Sequence, residues 1–216
     1  MKPESFKHLQ KMYQLCPEDM GYFKELIEAI IRIESEKKIK FNIWNYVLVD
    51  NIRPALGGVF HDGGYKVATD CHILLALKEE YSEELEGRIM RKDGTLMDED
   101  TRFPKWRDVI PNPELSKLIP VKIDFAKVLG FEADFNAKKK ASGSKHMEGY
   151  VRVRENCSFK LEYLVRMVKA MELIGTDVLM VNEDGKRAAL AVGGESKCIL
   201  MPIWSVPETA EHLYVL

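Results

Sequence analysis

The chain has 216 residues, of which 46% are hydrophobic and 31% charged, with a formal net charge of −2. That length buries a sizeable core in one large or two small domains, and the near-neutral balance excludes a globally basic nucleic-acid or membrane coat. Charge is divided locally instead, with nine acids against four bases over 78–100 and eleven bases against six acids over 122–169. Attraction to phosphate is expected from the second of these regions.

At the N-terminus, Phe6, Leu9, Met12 and Tyr13 space a short helix over 3–15 that Pro17 interrupts. Phe23, Leu26, Ile27, Ile30 and Ile33 then line one face of a clearer helix over 22–34. The following "EKKIKFNIWNYVLVDN" reads as extended at Phe41, Ile43 and Val47–Val49. From Arg53 the pattern turns to β, with strands over 55–60, 65–68 and 73–77 and a strong turn at His61-Asp62-Gly63-Gly64. The acidic run 79–86 is expected as a solvated connection, and 88–97 as a hairpin around Asp93-Gly94. "RFPKWRDVIPNPEL" carries three prolines and divides the chain into halves 1–111 and 112–216.

In the second half, 122–129 is expected as a modest helix and "NAKKKASGSKH" as a basic loop. A strand over 149–154 precedes the strongest helical pattern in the chain, 159–174, with Leu161, Leu164, Val165, Val168 and Met171 as its buried stripe. Strands follow over 177–181, 187–192 and 198–204. The order predicts an α+β fold with mainly antiparallel sheet and helices packed on one face.

Chemistry-bearing motifs are sparse. Cys71 and His72 are adjacent, so on a strand they point to opposite faces, and no further ligands stand at zinc spacing. No metal or cofactor site is expected. Asp70, Cys71 and His72 make a weak nucleophilic set without a recognisable activating turn, and an enzyme ranks last among the readings. The paired glycines are hairpin or bulge residues, not a phosphate-cradling loop. The four cysteines form no CxxC pair, no secretion signal is read at the N-terminus, and no apolar run reaches the length of a spanning helix. A cytoplasmic protein with free thiols and no membrane partner is the expectation. Apolar residues at strand ends, among them Leu56, Ile73, Leu74, Pro111, Met201 and Ile203, stand where a groove between the halves would form.

Three segments in order carry a more specific signal. "RPALGGVFHDGGYKVATDCHILLAL", "RFPKWRDVIP" and "KCILMPIWSV" resemble the bacterial DNA polymerase sliding clamp, the beta subunit of the replicative polymerase. That family has a Val-Ala-Thr-Asp-Gly-His-Arg-Leu turn, an Arg-Phe-Pro-x-Tyr-Arg linker and a closing Val-Met-Pro-Met strand. "FKELIEAIIRI" and "FKLEYLVRMVKAMELI" look like the helices lining a clamp's inner surface. The resemblance covers the second and third clamp domains, both in trimmed form, and implies a DNA-clamp-like fold.

It further implies a non-enzymatic replication accessory protein. Its partners would be double-stranded DNA, held non-specifically through phosphates, and a polymerase or other replication protein carrying a clamp-binding peptide. The peptide pocket would be walled by Leu56, Thr69, Cys71, His72, Ile73, Leu74, Pro111, Ile199, Met201 and Ile203. The DNA contacts would fall to Lys122, Lys127, Lys160, Arg166 and Lys169. A homo-oligomer closing a ring is admitted, and the alternative is a clamp-fold peptide-binding or regulatory module that does not encircle DNA. Three departures stand out: Cys71 replaces the family's Gly, which asks a Cβ-bearing residue to adopt the turn's backbone; Ile73 replaces its Arg; and twelve residues follow Trp204, a tail expected to lie over the pocket.

Overall fold

The structure, a computed structural model, describes residues 41–50, 52–112, 117–144, 146–204 and 212–216. The chain divides into two units, Met1–Phe41 and Asn42–Leu216, and the elements below belong to the second. The helices expected over 3–15 and 22–34 fall outside the described residues.

The unit opens with two 3-10 turns where extended chain was expected. Over Ile43–Tyr46 the Asn42 side chain accepts from the Trp44 amide and caps the turn. Over Pro54–Gly57 the proline sits at the start of the turn, where its fixed φ suits a helical bend and its missing N–H costs nothing. The first strand therefore begins at Val59 instead of Ala55. Strands β1 (Val59–Asp62), β2 (Tyr65–Thr69) and β3 (Ile73–Lys78) form the expected antiparallel meander. Gly63 and Gly64, with φ of 61° and 78°, supply the two left-handed positions of the β1–β2 turn. A short β4 (Ile89–Met90) pairs with β1 and turns back through a Met90–Leu96 bridge, the hairpin expected around Asp93-Gly94.

After the proline-rich segment, β5 (Leu118–Lys122) leads into α1 (Phe125–Ser142). Lys122 ends a strand, and the helix expected only to Leu129 runs on through the lysines assigned to a loop. The local chemistry accounts for this. Asp124 caps the Lys127 amide, Ala and Lys are good helix formers, Lys138 pairs with Asp134 one turn earlier at 2.7 Å, and Gly143 stops the helix in the left-handed conformation. Strands β6 (Tyr150–Arg154) and β7 (Cys157–Lys160) precede α2 (Leu161–Ile174), so the residues from Phe159 to Lys160 that looked helical are extended. Strands β8 (Val178–Asn182), β9 (Ala189–Gly193), β10 (Ser196–Leu200) and β11 (Leu213–Val215) complete the unit. β10 ends four residues earlier than expected, just before Pro202, which has no amide to continue a ladder.

Eight strands form one antiparallel sheet in the order β4-β1-β2-β3-β10-β9-β8-β5. The α+β class follows as read, and strands from both sides of Pro111 share this sheet through the β3–β10 pair. A second sheet, β11-β6-β7, pairs β11 with β6 in parallel. α2 packs across β3, β9 and β10 and buries Leu161, Leu164, Val165, Met167, Val168, Ala170 and Met171. Each large apolar side chain withdrawn from water there contributes about 1.5–3 kcal/mol. Strand alternation sends Ile73, Leu75, Cys198 and Leu200 to this helix side. The opposite face carries a separate cluster of Val67, Leu74, Ala76, Trp106, Leu190 and Ile199, with Phe60, Phe103 and Ile110 packed against it.

His61 is fully buried on β1, edge-on to Tyr81, with no hydrogen-bond partner for its Nε2 among the described residues. Burial, the largest cause, lowers its pKa below the ordinary 6.5. The neutral ring is therefore native, and the unfolded state binds the extra proton. Stability is complete above about pH 6.5 and falls as pH drops through it, by at most about 1.4 kcal/mol per pH unit. Urea unfolding at pH 7.5 and 5.5 should show a larger loss for the natural chain than for His61→Gln; equal losses would contradict this assignment.

Candidate peptide-binding corner

The connection between β2 and β3 is a corner built by side chains capping backbone. Thr69 Oγ1 donates to the Ile73 carbonyl at 2.8 Å and accepts from the Cys71 amide at 3.1 Å. Asp70 Oδ1 accepts from the amides of His72 and Ile73, each at 3.0 Å. Threonine and aspartate form such local bonds because their oxygens reach amides two or three residues on. Between them Cys71 is held at φ 75°, the one non-glycine in the left-handed region among the described residues. That conformation costs an ordinary residue about 1–2 kcal/mol, and the surrounding bonds keep it there.

The corner is bolted to α2 on one side. Asp70 is only 7% exposed, and its second oxygen accepts from Arg166 Nη1 at 2.6 Å. The same guanidinium donates to the Asn45 carbonyl at 3.2 Å and lies over the Tyr163 ring, on which His72 also stacks with centroids 4.8 Å apart. Tyr46 donates its hydroxyl to the Arg166 carbonyl at 2.7 Å, and burial pushes its phenol far up. On the outer side Arg53 Nη1 donates to Cys71 Sγ at 2.9 Å from just before the Pro54–Gly57 turn, in which Leu56 is buried.

The final strand completes the arrangement. In the β3–β10 register Ile199 lies opposite Leu74 and Leu200 opposite Ile73, and the Met201 amide donates to the His72 carbonyl at 2.9 Å. The residues expected as pocket walls therefore fall into distinct roles. Thr69, Leu74 and Ile199 share one sheet face, and Leu74 and Ile199 are buried in the cluster that Ile110, next to Pro111, packs against. Cys71 and His72 are exposed at the corner, and Met201 is 42% exposed beside them. Ile73 is buried on the helix side. Ile203 is half-buried, its amide donating to the Ser158 carbonyl on β7 at 2.9 Å. Exposed Trp204 follows, and Val49 and Ile52 are exposed in the segment before Arg53.

The proline-rich segment crosses the cluster face. Phe103 stacks on Phe60 at 4.8 Å, Trp106 tilts over Tyr65 at 5.3 Å and donates Nε1–H to Asp62 at 2.7 Å, and Arg107 ion-pairs with the same carboxylate.

The expected DNA-contacting cations are distributed across several elements. Lys122 pairs with Asp177 at 3.4 Å at the end of β5, Lys160 with Glu148 at 2.6 Å before α2, and Lys169 on α2 reaches Glu132 on α1 at 4.0 Å. Lys127 lies on the first turn of α1 with its ammonium 5.9 Å from the Phe131 ring centroid. Arg166 is turned inward to Asp70.

Around the corner both Asp70 oxygens are taken up by amides and Arg166, the His72 ring lies on Tyr163, and the exposed Cys71 thiol accepts from Arg53. Cys157 and Cys198 are buried free thiols whose pKa values burial raises, that of Cys157 to about 11. Among the described residues no group of three or more His, Cys, Asp or Glu is placed to hold a metal ion, and no helix is long and apolar enough to cross a membrane. Of the twelve-residue tail expected over the pocket, residues 205–211 lie outside those described, and its last strand, Leu213–Val215, pairs with β6.

No family model matches the chain, and no curated protein matches it by sequence. Solved structures do. The DNA polymerase III beta subunit from Pseudomonas aeruginosa is similar over 74% of this chain and 61% of its own, at 17% identity and a TM-score of 0.52. The sliding clamp from Caulobacter crescentus is similar over 74% and 60%, at 15% identity and a TM-score of 0.53. The beta sliding clamp from Bartonella birtlesii, solved bound to griselimycin, is similar over 74% and 61%, at 16% identity and a TM-score of 0.50. The chain spans about three fifths of the length of these clamps. The fold is that of a sliding clamp, as the three sequence segments imply.

Proposed function

We propose that this clamp-folded chain is a non-enzymatic replication accessory protein that captures a short partner peptide at the Thr69–Leu74 corner. The observation that carries this reading is the β3–β10 pairing, which sets an exposed methionine beside an exposed, rigidly held turn over an apolar floor. A flexible thioether adapts to several apolar side chains, while the capped turn loses little freedom on binding. Leu56, Leu74, Ile199 and Pro111 supply the floor and rim, Cys71, His72 and Met201 the accessible contacts. The halves 1–111 and 112–216 are proposed to correspond to two trimmed clamp-like domains, a reading supported by strands from both sides of Pro111 pairing in one sheet. Ile73 and Arg166 support the corner from the helix side without facing the peptide.

Non-specific contact with duplex phosphates is proposed for Lys122, Lys127, Lys160 and Lys169. A clamp-fold peptide-binding module without DNA encirclement is the second reading, favoured by the carboxylate partners that three of these lysines already have.

One set of titrations tests both readings. A labelled clamp-motif peptide should bind the chain, and Met201→Asp should weaken it at least ten-fold, about 1.4 kcal/mol; Met201 is the site to change because Leu74→Asp would place a charge in the core. Unchanged affinity would overturn the corner assignment. If the four lysines hold phosphates, duplex affinity should fall about a hundred-fold between 50 and 200 mM salt; a flat, weak response favours the second reading.

A further inference from the structure

The C-terminal strand is held in a manner unlike any other strand in the unit. β11 is three residues long, pairs only with β6, and makes the one parallel pairing among the described strands. Its backbone contacts reach one residue beyond each end: the Tyr150 amide donates to the His212 carbonyl at 2.9 Å and the Leu216 amide to the Arg152 carbonyl at 3.0 Å. Tyr214, and His212 just before the strand, lie on α1. Tyr214 stacks on Phe131 with centroids 4.7 Å apart, donates its hydroxyl to Asp134 at 2.7 Å, and has the Lys138 ammonium 5.7 Å from its ring centroid. His212 sits edge-on to Phe135 at 5.7 Å. Two rings spaced i, i+2 on an extended segment thus meet two rings spaced i, i+4 on a helix. Gly149, just before β6, leaves room for this, since a Cβ there would come within 3.0 Å of the Phe135 ring.

This is the anatomy of a bound peptide: a backbone ladder on one edge and one anchoring side chain in a specific polar and aromatic seat. It is also incompletely satisfied. His212 Nε2 and Arg152 Nε are buried without hydrogen-bond partners among the described residues, and Val215 is 57% exposed on what is the edge strand of its sheet among the described strands. Unpaired buried polar atoms favour release to water, and a short strand with one neighbour belongs to the least stable part of a fold. From this geometry we infer that the groove between β6 and α1 is a strand-docking site whose ligand is the chain's own C-terminal segment, bound in cis and exchangeable for the same segment supplied in trans. The site is separate from the Thr69–Leu74 corner and does not depend on its function.

The test uses the full chain and a fluorescent peptide of residues 205–216. Tyr214→Ala in the chain weakens the resident strand, so this variant should bind the peptide about ten-fold tighter than the natural chain does. A peptide carrying the same Tyr→Ala change, or a chain carrying Asp134→Ala as well, should lose that gain. Equal affinity for both chains, equal affinity for both peptides, or unfolding of the Tyr214→Ala chain would overturn the inference, because a separable ligand can be lost without the fold. Hydrogen exchange on the natural chain gives a second reading that needs no variant. The Tyr150 and Leu216 amides should exchange about a hundred-fold faster than those in the β3–β10 ladder, and equal protection would mean that the strand leaves only with global unfolding.

Discussion

Asp70→Ala is expected to destabilise the protein by about 3 kcal/mol, the lower end of what breaking a buried ion pair costs. The lower end applies because the Asp70 side chain is 9% exposed but Arg166 is 31% exposed, so water screens part of the charge left behind. Alanine also releases the His72 and Ile73 amides and leaves Cys71 in a strained conformation with less to hold it there. Asp70→Asn keeps an acceptor for those amides and loses mainly the charge pairing, so it should cost about half as much. A double-mutant cycle with Arg166→Met, read by urea unfolding, should return a coupling energy of about 1–3 kcal/mol. Additive losses would mean that the corner and α2 are mechanically independent. Peptide affinity should fall with Asp70→Ala even though Asp70 is turned away from solvent, since the turn it caps carries the accessible contacts.

Trp106→Ala is expected to cost about 3–5 kcal/mol, the range for deleting a large aromatic side chain from a packed interior. Trp106 is buried in the cluster with Val67, Leu74, Ala76, Leu190 and Ile199 and, with Phe103, Arg107 and Ile110, ties the proline-rich segment to the sheet. For a chain of this size the midpoint of thermal unfolding should drop by about 10 °C. Trp106→Phe should recover much of that loss but not the bond to Asp62. A drop of only a degree or two for alanine would show that the segment is carried by Phe103 and Ile110 instead.

The corner was legible in the sequence because its information is local. An apolar run broken by Thr-Asp-x-His announces a turn whose side chains cap their own backbone, and alternation on either side places the two strands. Its closure on the last strand came from the resemblance, since nothing within residues 73–77 names 198–204 as the neighbour. Arg166 illustrates the limit. On the helical pattern it is an exposed cation, a fair candidate for phosphate, and only the fold brings it to Asp70, 96 residues away. The same holds for Tyr163 beneath His72. The errors at Pro54–Gly57 and at 136–142 have the opposite origin. There the local signals conflict: a proline at a turn start and a run of good helix formers compete with the apolar pattern at 55–60 and the Gly/Ser content at 143–144. β7 was hidden because Phe159 and Lys160 fit the helical stripe that begins one residue later. β11 was hidden because three residues without alternation give no periodicity, and their partner strand lies some sixty residues upstream.

The most direct test of the corner as a partner site is to record backbone amide NMR spectra while titrating an unlabelled clamp-motif peptide. The account predicts perturbations concentrated at residues 69–74 and 199–203, with the β5 and β8 amides unmoved. Saturable binding whose perturbations fall elsewhere, or no perturbation at peptide concentrations well above those that saturate a sliding clamp, would contradict it.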